Sequence, residues 1–178
     1  MGIGLAITDH NEVAGVLKAW NNIYDVLIIP GMEFTCAEGF HVLTYFYNVG
    51  DLEEFYVNHI KKNKSEHPYM VTKLSFNNLV DSIGKYNCVL SAAHPVSPTR
   101  MGLFTNIKRG YIEEKATSKI NAFEVISGSH SRNMNYNAIK WAWQLNKPVT
   151  GGSDAHTLID IGKTVTYSSG STIDSFLD

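Results

Sequence analysis

PVTGGSDAH, residues 148–156, places a short apolar lead before two glycines, and then an aspartate and a histidine two positions apart. Read as a strand running to its C-terminal tip, the segment projects Asp154 and His156 from one side, because residues i and i+2 of a strand share a face. The glycines leave room for a sharp turn or for close approach of the backbone to something bound. Aspartate and histidine both ligate Zn, Mn or Fe. A plain turn is the competing reading, and the chain upstream has to decide between the two.

Upstream, apolar stretches of strand length alternate with amphipathic stretches of helix length. GIGLAIT (2–8) reads as a strand that ends on Asp9, His10 and Asn11. EVAGVLKAWNN (12–22) reads as a helix, with Val13, Val16, Leu17 and Trp20 at helical spacing. DVLIIP (25–30) is the next strand, and GMEFTC sets Glu33 just past it. FHVLTYFY (40–47) carries His41 near its start, and residues 51–63 follow as a helix. Histidines 59 and 67 are assigned to solvent. Ser75 caps a helix over 76–86, and NCVLSAAHP (87–95) is a strand delivering His94, with Pro95 behind it to stop it. NAFEVIS (121–127) is a strand with Glu124 inside it, and a carboxylate in apolar surroundings needs a partner. A helix over 133–146 leads to PVTGGSDAH. GKTVTYS (162–168) closes the series as a last strand, and STIDSFLD opens a final helix. Two connections stand out. The loop 96–111 carries Arg100, Lys108 and Arg109, and GSHSRN (128–133) carries His130 and Arg132. Basic residues on such loops are candidates for holding a phosphate, against the plainer reading of solvated charge.

This alternation predicts an α/β fold with parallel strands and helices outside, built as a single domain over 1–178. A hydrophobic fraction of 44% supports a sizeable core. The net charge of −2 argues against attachment to nucleic acid by bulk charge. Two cysteines, Cys36 and Cys88, make neither a zinc finger nor a disulfide framework and fit a cytoplasmic setting. No apolar run approaches membrane-span length.

His10, Glu33, His41, His94, Asp154 and His156 all fall at or near strand ends. Local alternatives exist: Asp9 or Asn11 caps the next helix, which does not account for His10, Glu33 is a helix-start or salt-bridge residue, and His41 is a structural histidine. Their joint placement points instead to a metal centre. Imidazole and carboxylate without thiolate suit Zn, Mn or Fe.

The segments ITDHN (7–11), GMEFTC (31–36), EGFHVL (38–43), AAHP (92–95), INAFEVISG (120–128), GGSDAH (151–156) and GKTVT (162–166) resemble, in order and spacing, the polymerase-and-histidinol-phosphatase (PHP) family. The resemblance implies a distorted (β/α)7 TIM-like barrel with two or three divalent ions (Mn, Zn or Fe) at the C-terminal ends of its strands. It implies His10, Glu33, His41, His94, Asp154 and His156 as metal ligands, with Glu33 as the bridge. Asp9 and Glu124 would support those ligands from behind, and Asn135 lies where the family often has a polar residue. The activity implied is hydrolysis of a phosphate ester, in a phosphomonoester, a nucleotide or a nucleic-acid end. In that scheme Glu33, Asp154 and His156 serve catalysis and His156 protonates the leaving group, while Arg100, Lys108, Arg109 and Arg132 hold the substrate. The chain departs from the family's pattern at its start. The opening His-x-His strand is missing, so the expectation is a barrel short of its first β/α unit, truncated N-terminally and at its C-terminal helix, with an exposed edge that a second copy could cover. Two other readings remain open: a catalytically impaired structural or interaction module, and an amidohydrolase-like C–N hydrolase.

Overall fold

A computed structural model describes residues 4–23, 25–67 and 69–178. Among them the elements run β1 (Gly4–Ile7), α1 (Ala14–Asn22), β2 (Leu27–Thr35), β3 (His41–Phe46), α2 (Val49–Phe55), a π-helical turn (Tyr56–Ile60), α3 (Phe76–Ile83), β4 (Cys88–Ala92), α4 (Leu103–Lys108), a 3-10 turn (Glu114–Lys119), β5 (Ala122–Ser127), α5 (Arg132–Gln144), β6 (Val149–Gly152), a second 3-10 turn (Leu158–Asp160) and α6 (Ile173–Leu177). This is an α/β fold, as the alternation predicts. Positions 2 and 3 of the predicted first strand lie outside the described residues. The chain forms two compact units, one comprising residues 1–38, 42–90 and 168–178 and the other residues 39–41 and 91–167.

In the first unit the strand order is β1-β2-β3, and β1 pairs with β2 in parallel from Gly4↔Leu27 to Ile7↔Pro30. Proline followed by glycine at 30–31 reads in sequence as the end of a strand, yet β2 runs straight through both to Thr35. Glycine is required there for a packing reason: a Cβ on Gly31 would lie 2.9 Å from Thr8 Cγ2 and 3.1 Å from the Thr44 carbonyl oxygen. Glu33 is therefore inside a buried strand, not just past one. Met32, Phe34, Phe46, Leu52, Phe55 and Ile60 are fully buried and form the centre of this unit's core.

The predicted helix over 51–63 starts at Val49 and passes into the π-helical turn, where Lys61 N–H donates to Tyr56 O across five residues (2.9 Å). The extra residue in the turn keeps Phe55, Tyr56 and Ile60 all buried. His59 is half-buried, its ring 5.4 Å from that of Phe55 and 6.3 Å from that of Tyr86, so it is not the solvent residue expected. Ser75 caps α3 as expected, in a reciprocal box with Asn78.

In the second unit the strand order is β4-β5-β6, with β5 parallel to both neighbours. Two local expectations fail here. The loop 96–111 contains helix α4, which begins after Gly102 and is secured by fully buried Asn106, whose side-chain amide donates to Arg100 O (2.6 Å) and Gly102 O (2.9 Å). The stretch 162–168 is not a strand among the described residues. Thr166 instead lays its hydroxyl against Gly151, accepting from its N–H (2.9 Å) and donating to its carbonyl (2.7 Å). One side chain thus takes the place of a ladder rung, and Val165 and Tyr167 stay 74% and 80% exposed.

Candidate metal centre

In the first unit, backbone pairing continues beyond β1. Glu33 N–H donates to Asp9 O (3.2 Å), Asn11 N–H donates to Glu33 O (3.0 Å), and His10 and Glu33 form an isolated parallel bridge. Residues paired across a parallel ladder share a face, so the histidine and the glutamate meet: His10 Nε2 lies 3.7 Å from Glu33 Oε2. Both side chains are about nine-tenths buried, at 11% and 8% exposure. The ring of Tyr69 packs edge-on to His10 at 4.9 Å. Asn11, in the left-handed region at φ 50°, turns its side chain inward. Its Oδ1 accepts from Thr35 N–H (2.9 Å) and its Nδ2 donates to Met70 O (3.2 Å), which fixes the end of β2. Asp9 lies toward α1, where its carboxylate accepts from the Gly15 amide and occupies the place a Gly15 side chain would take. Burial pushes its pKa up, against the Gly15 hydrogen bond that pulls it down.

The second unit holds the other predicted ligands. His41 donates its N–H to Met101 O (3.1 Å) and accepts from Ala93 N–H (3.3 Å), with its ring 5.1 Å from that of His94. His94 sits two residues past the end of β4, at φ 29°, and its N–H donates to the buried carboxylate of Glu124 (3.1 Å). The Glu124 carboxylate has its place because β6 ends in glycine beside it: a Cβ on Gly152 would lie 2.3 Å from Glu124 Oε1.

Asp154 and His156 do not project from a strand tip, because β6 ends at Gly152 and Asp154 turns at φ 48°. The i, i+2 argument therefore does not apply. The turn nonetheless brings the two together: His156 Nδ1 lies 3.0 Å from Asp154 O and 3.7 Å from Asp154 Oδ1. His156 is about half exposed. His130 stacks edge-on to His94 at 5.3 Å, and burial, followed by the nearby His94, pushes its pKa down against the opposing pull of Asp154. His130 and Ser129, which donates to Asp154 Oδ2 (2.5 Å), were not among the expected site residues. The run GSHS between a strand and a helix was the signal available.

The basic residues are placed separately. The Arg100 guanidinium lies 4.9 Å over the ring of Tyr111, Lys108 and Arg109 close α4 on exposed surface, and Arg132 is the exposed first residue of α5.

Residues 132–178 match the PHP-associated family. That match covers the last quarter of the chain and supports the resemblance over two of its segments, GGSDAH (151–156) and GKTVT (162–166). No curated protein matches the chain. Solved structures share its fold. One is a protein from Bifidobacterium adolescentis inferred to be a metal-dependent phosphoesterase, 17% identical, with 92% of this chain covering 82% of that one at a TM-score of 0.66. Another is an amidohydrolase from Chromobacterium violaceum with bound sulfate and no metal, also 17% identical, with coverage of 92% and 79% and a TM-score of 0.65. A third is the lesion-specific endonuclease EndoQ of Pyrococcus furiosus, 17% identical, with 87% of this chain covering 39% of that one at a TM-score of 0.62. At these identities the likeness is one of fold.

The donor set suits divalent metal. His10 and Glu33 each offer a ligand atom, within 4.8 Å of one another, at a buried strand end, and the set contains imidazole and carboxylate but no thiolate. Among the described residues no helix is long and apolar enough to cross a membrane.

Proposed function

We propose that this protein is a metal-dependent phosphoesterase of the PHP type, and that His10, Glu33, His41, His94, Asp154 and His156 hold two or three divalent ions, Mn, Zn or Fe. The observation that carries the reading is the buried His10–Glu33 pair in a chain whose last quarter matches a PHP-associated sequence. When bound, the ions supply neutralising charge for a phosphate and acidify a water toward a pKa of about 7.

The chain's own residues do the rest. Strand pairing fixes the Glu33 backbone and so orients the carboxylate proposed as the bridge. Glu124, buried and joined to the His94 amide, holds that turn in its left-handed conformation. His156, with Nδ1 against the Asp154 carbonyl, presents Nε2 as the atom that meets metal or exchanges a proton with a leaving group. Arg100, Lys108, Arg109 and Arg132 supply charge for the substrate's phosphate or body. A small phosphorylated compound or nucleotide fits the net charge of −2 better than long nucleic acid, and a nucleic-acid end is the next candidate. Two free thiols, Cys36 and Cys88, fit the cytoplasm.

Glu33→Ala should abolish metal loading and turnover of phosphomonoesters; full activity in that variant would sink the reading. A second reading, C–N hydrolysis, draws on the amidohydrolase of the same fold. Parallel assays on phosphate and amide substrates with the metal-loaded protein separate the two. Metal content of zero in protein purified without chelator would favour a non-catalytic module.

A further inference from the structure

The turn after β5 and the turn after β6 lie against one another more closely than side chains allow. Gly128 N–H donates to Gly152 O (2.9 Å), and a Cβ on Gly128 would lie 2.7 Å from the Ser153 carbonyl oxygen. That approach brings the Ser129 hydroxyl to Asp154 Oδ2 at 2.5 Å. Behind Ser129 stands a second hydroxyl, Ser127 Oγ, at 3.0 Å. A serine hydroxyl has one proton to give. Ser129 gives its proton to the carboxylate, so it must accept from Ser127, and the two hydroxyls form a directed chain ending on Asp154. The chain starts from a fixed point. The Asn135 side chain grips Ser127 on both sides, accepting from its N–H (3.2 Å) and donating to its carbonyl (3.2 Å).

We propose that Ser129 is a positioning residue for metal binding: it occupies Oδ2 of Asp154, aligns the carboxylate and leaves Oδ1, on the His156 side, as the oxygen given to an ion. Asn135 and Ser127 anchor the arrangement from α5 and β5. The inference rests on the metal-dependent reading above. Hydrogen-bonding partners of ligating carboxylates commonly change metal affinity by about 10- to 100-fold when removed.

The test is calorimetric titration of the metal-free full chain with Mn2+ and with Zn2+, for wild type, Ser129→Ala, Ser129→Thr and Ser127→Ala, alongside thermal melting of each metal-free protein. Ser129→Ala should weaken binding about 10-fold or more for at least one ion. Ser127→Ala should weaken it less and in the same direction. Ser129→Thr, which restores the hydroxyl on an exposed turn, should match wild type, and the metal-free melting temperatures should coincide. Wild-type affinity in Ser129→Ala, failure of Ser129→Thr to restore binding, or a lowered metal-free melting temperature in Ser129→Ala would each overturn the proposal and leave the metal-dependent reading standing. A wild-type protein that takes up neither ion would overturn both.

Discussion

The strand end carrying His10 and Glu33 and the paired turns carrying Ser129 and Asp154 present the same ligand chemistry by different means. At the first, backbone ladder and buried core do the positioning: Glu33 lies within a nine-residue strand, flanked by fully buried Met32 and Phe34. At the second, Asp154 lies beyond its strand and its carboxylate is met only by side chains, the Ser129 hydroxyl on Oδ2 and His156 Nδ1 3.7 Å from Oδ1, among the described residues. Side chains placed by secondary structure are hard to remove without loss of fold. Those placed by side-chain hydrogen bonds can be lost with the fold intact.

This contrast can be broken or sharpened by substitution. Asn11→Ala should have the largest effect on stability. It strips a buried side chain that serves Thr35 N–H and Met70 O, and each group left unsatisfied costs about 1–3 kcal/mol. Urea denaturation should show a loss of about 2 kcal/mol or more; a loss under about 0.5 kcal/mol would mean that the ladder alone holds the strand end. Gly152→Ala tests a place where the second unit's site is tightly packed. The new methyl would meet Glu124 Oε1, and overpacking of this kind costs about 1–3 kcal/mol. A neutral result would show that Glu124 can move aside. His156→Ala should change stability by less than about 0.5 kcal/mol, because the side chain is half exposed, while lowering metal content. Marked destabilisation would remove the distinction between the two regions.

The smallest effect is a pH dependence in the first unit. Burial, followed by the Lys62 and Lys85 cations, holds the His59 pKa below its ordinary 6.5, against the opposing pull of Glu54. The unfolded chain then binds the proton more readily than the folded one. The stability contribution of neutral His59 is present above pH 6.5 and is lost as pH falls through the lower folded value. Melting temperatures between pH 7.5 and 5 should decline less in His59→Phe than in wild type; parallel slopes would assign the dependence to other groups.

Much of this was legible in the sequence. Strand and helix alternation followed from apolar run length, Ser75 announced its cap, and the ligand candidates were visible as histidines and carboxylates beside apolar runs. The failures share a cause, which is that local signals were outvoted by contacts distant in sequence. Proline and glycine at 30–31 signal a turn, but neighbouring Thr8 and Thr44 make glycine the residue a continuous strand needs. Consecutive β-branched residues at 164–166 signal a strand, but Thr166 pairs through its side chain. Ser129 carried only the signal of the run GSHS between a strand and a helix, because its role exists only where two turns meet.

Among the described residues, four non-glycine residues adopt positive φ. Asn146 is a helix terminus: it follows α5, and Lys147 N–H closes on Ala142 O (2.9 Å). Asn11, His94 and Asp154 are the others, each next to or among the candidate ligands. Backbone strain of this kind costs about 1–3 kcal/mol per residue. A search for thermostable variants that scored only folding would therefore favour glycine at 94 and 154, and the protein it selected would lose two of the proposed metal ligands. For anyone engineering this chain, those two positions are the ones to hold fixed before stability is optimised.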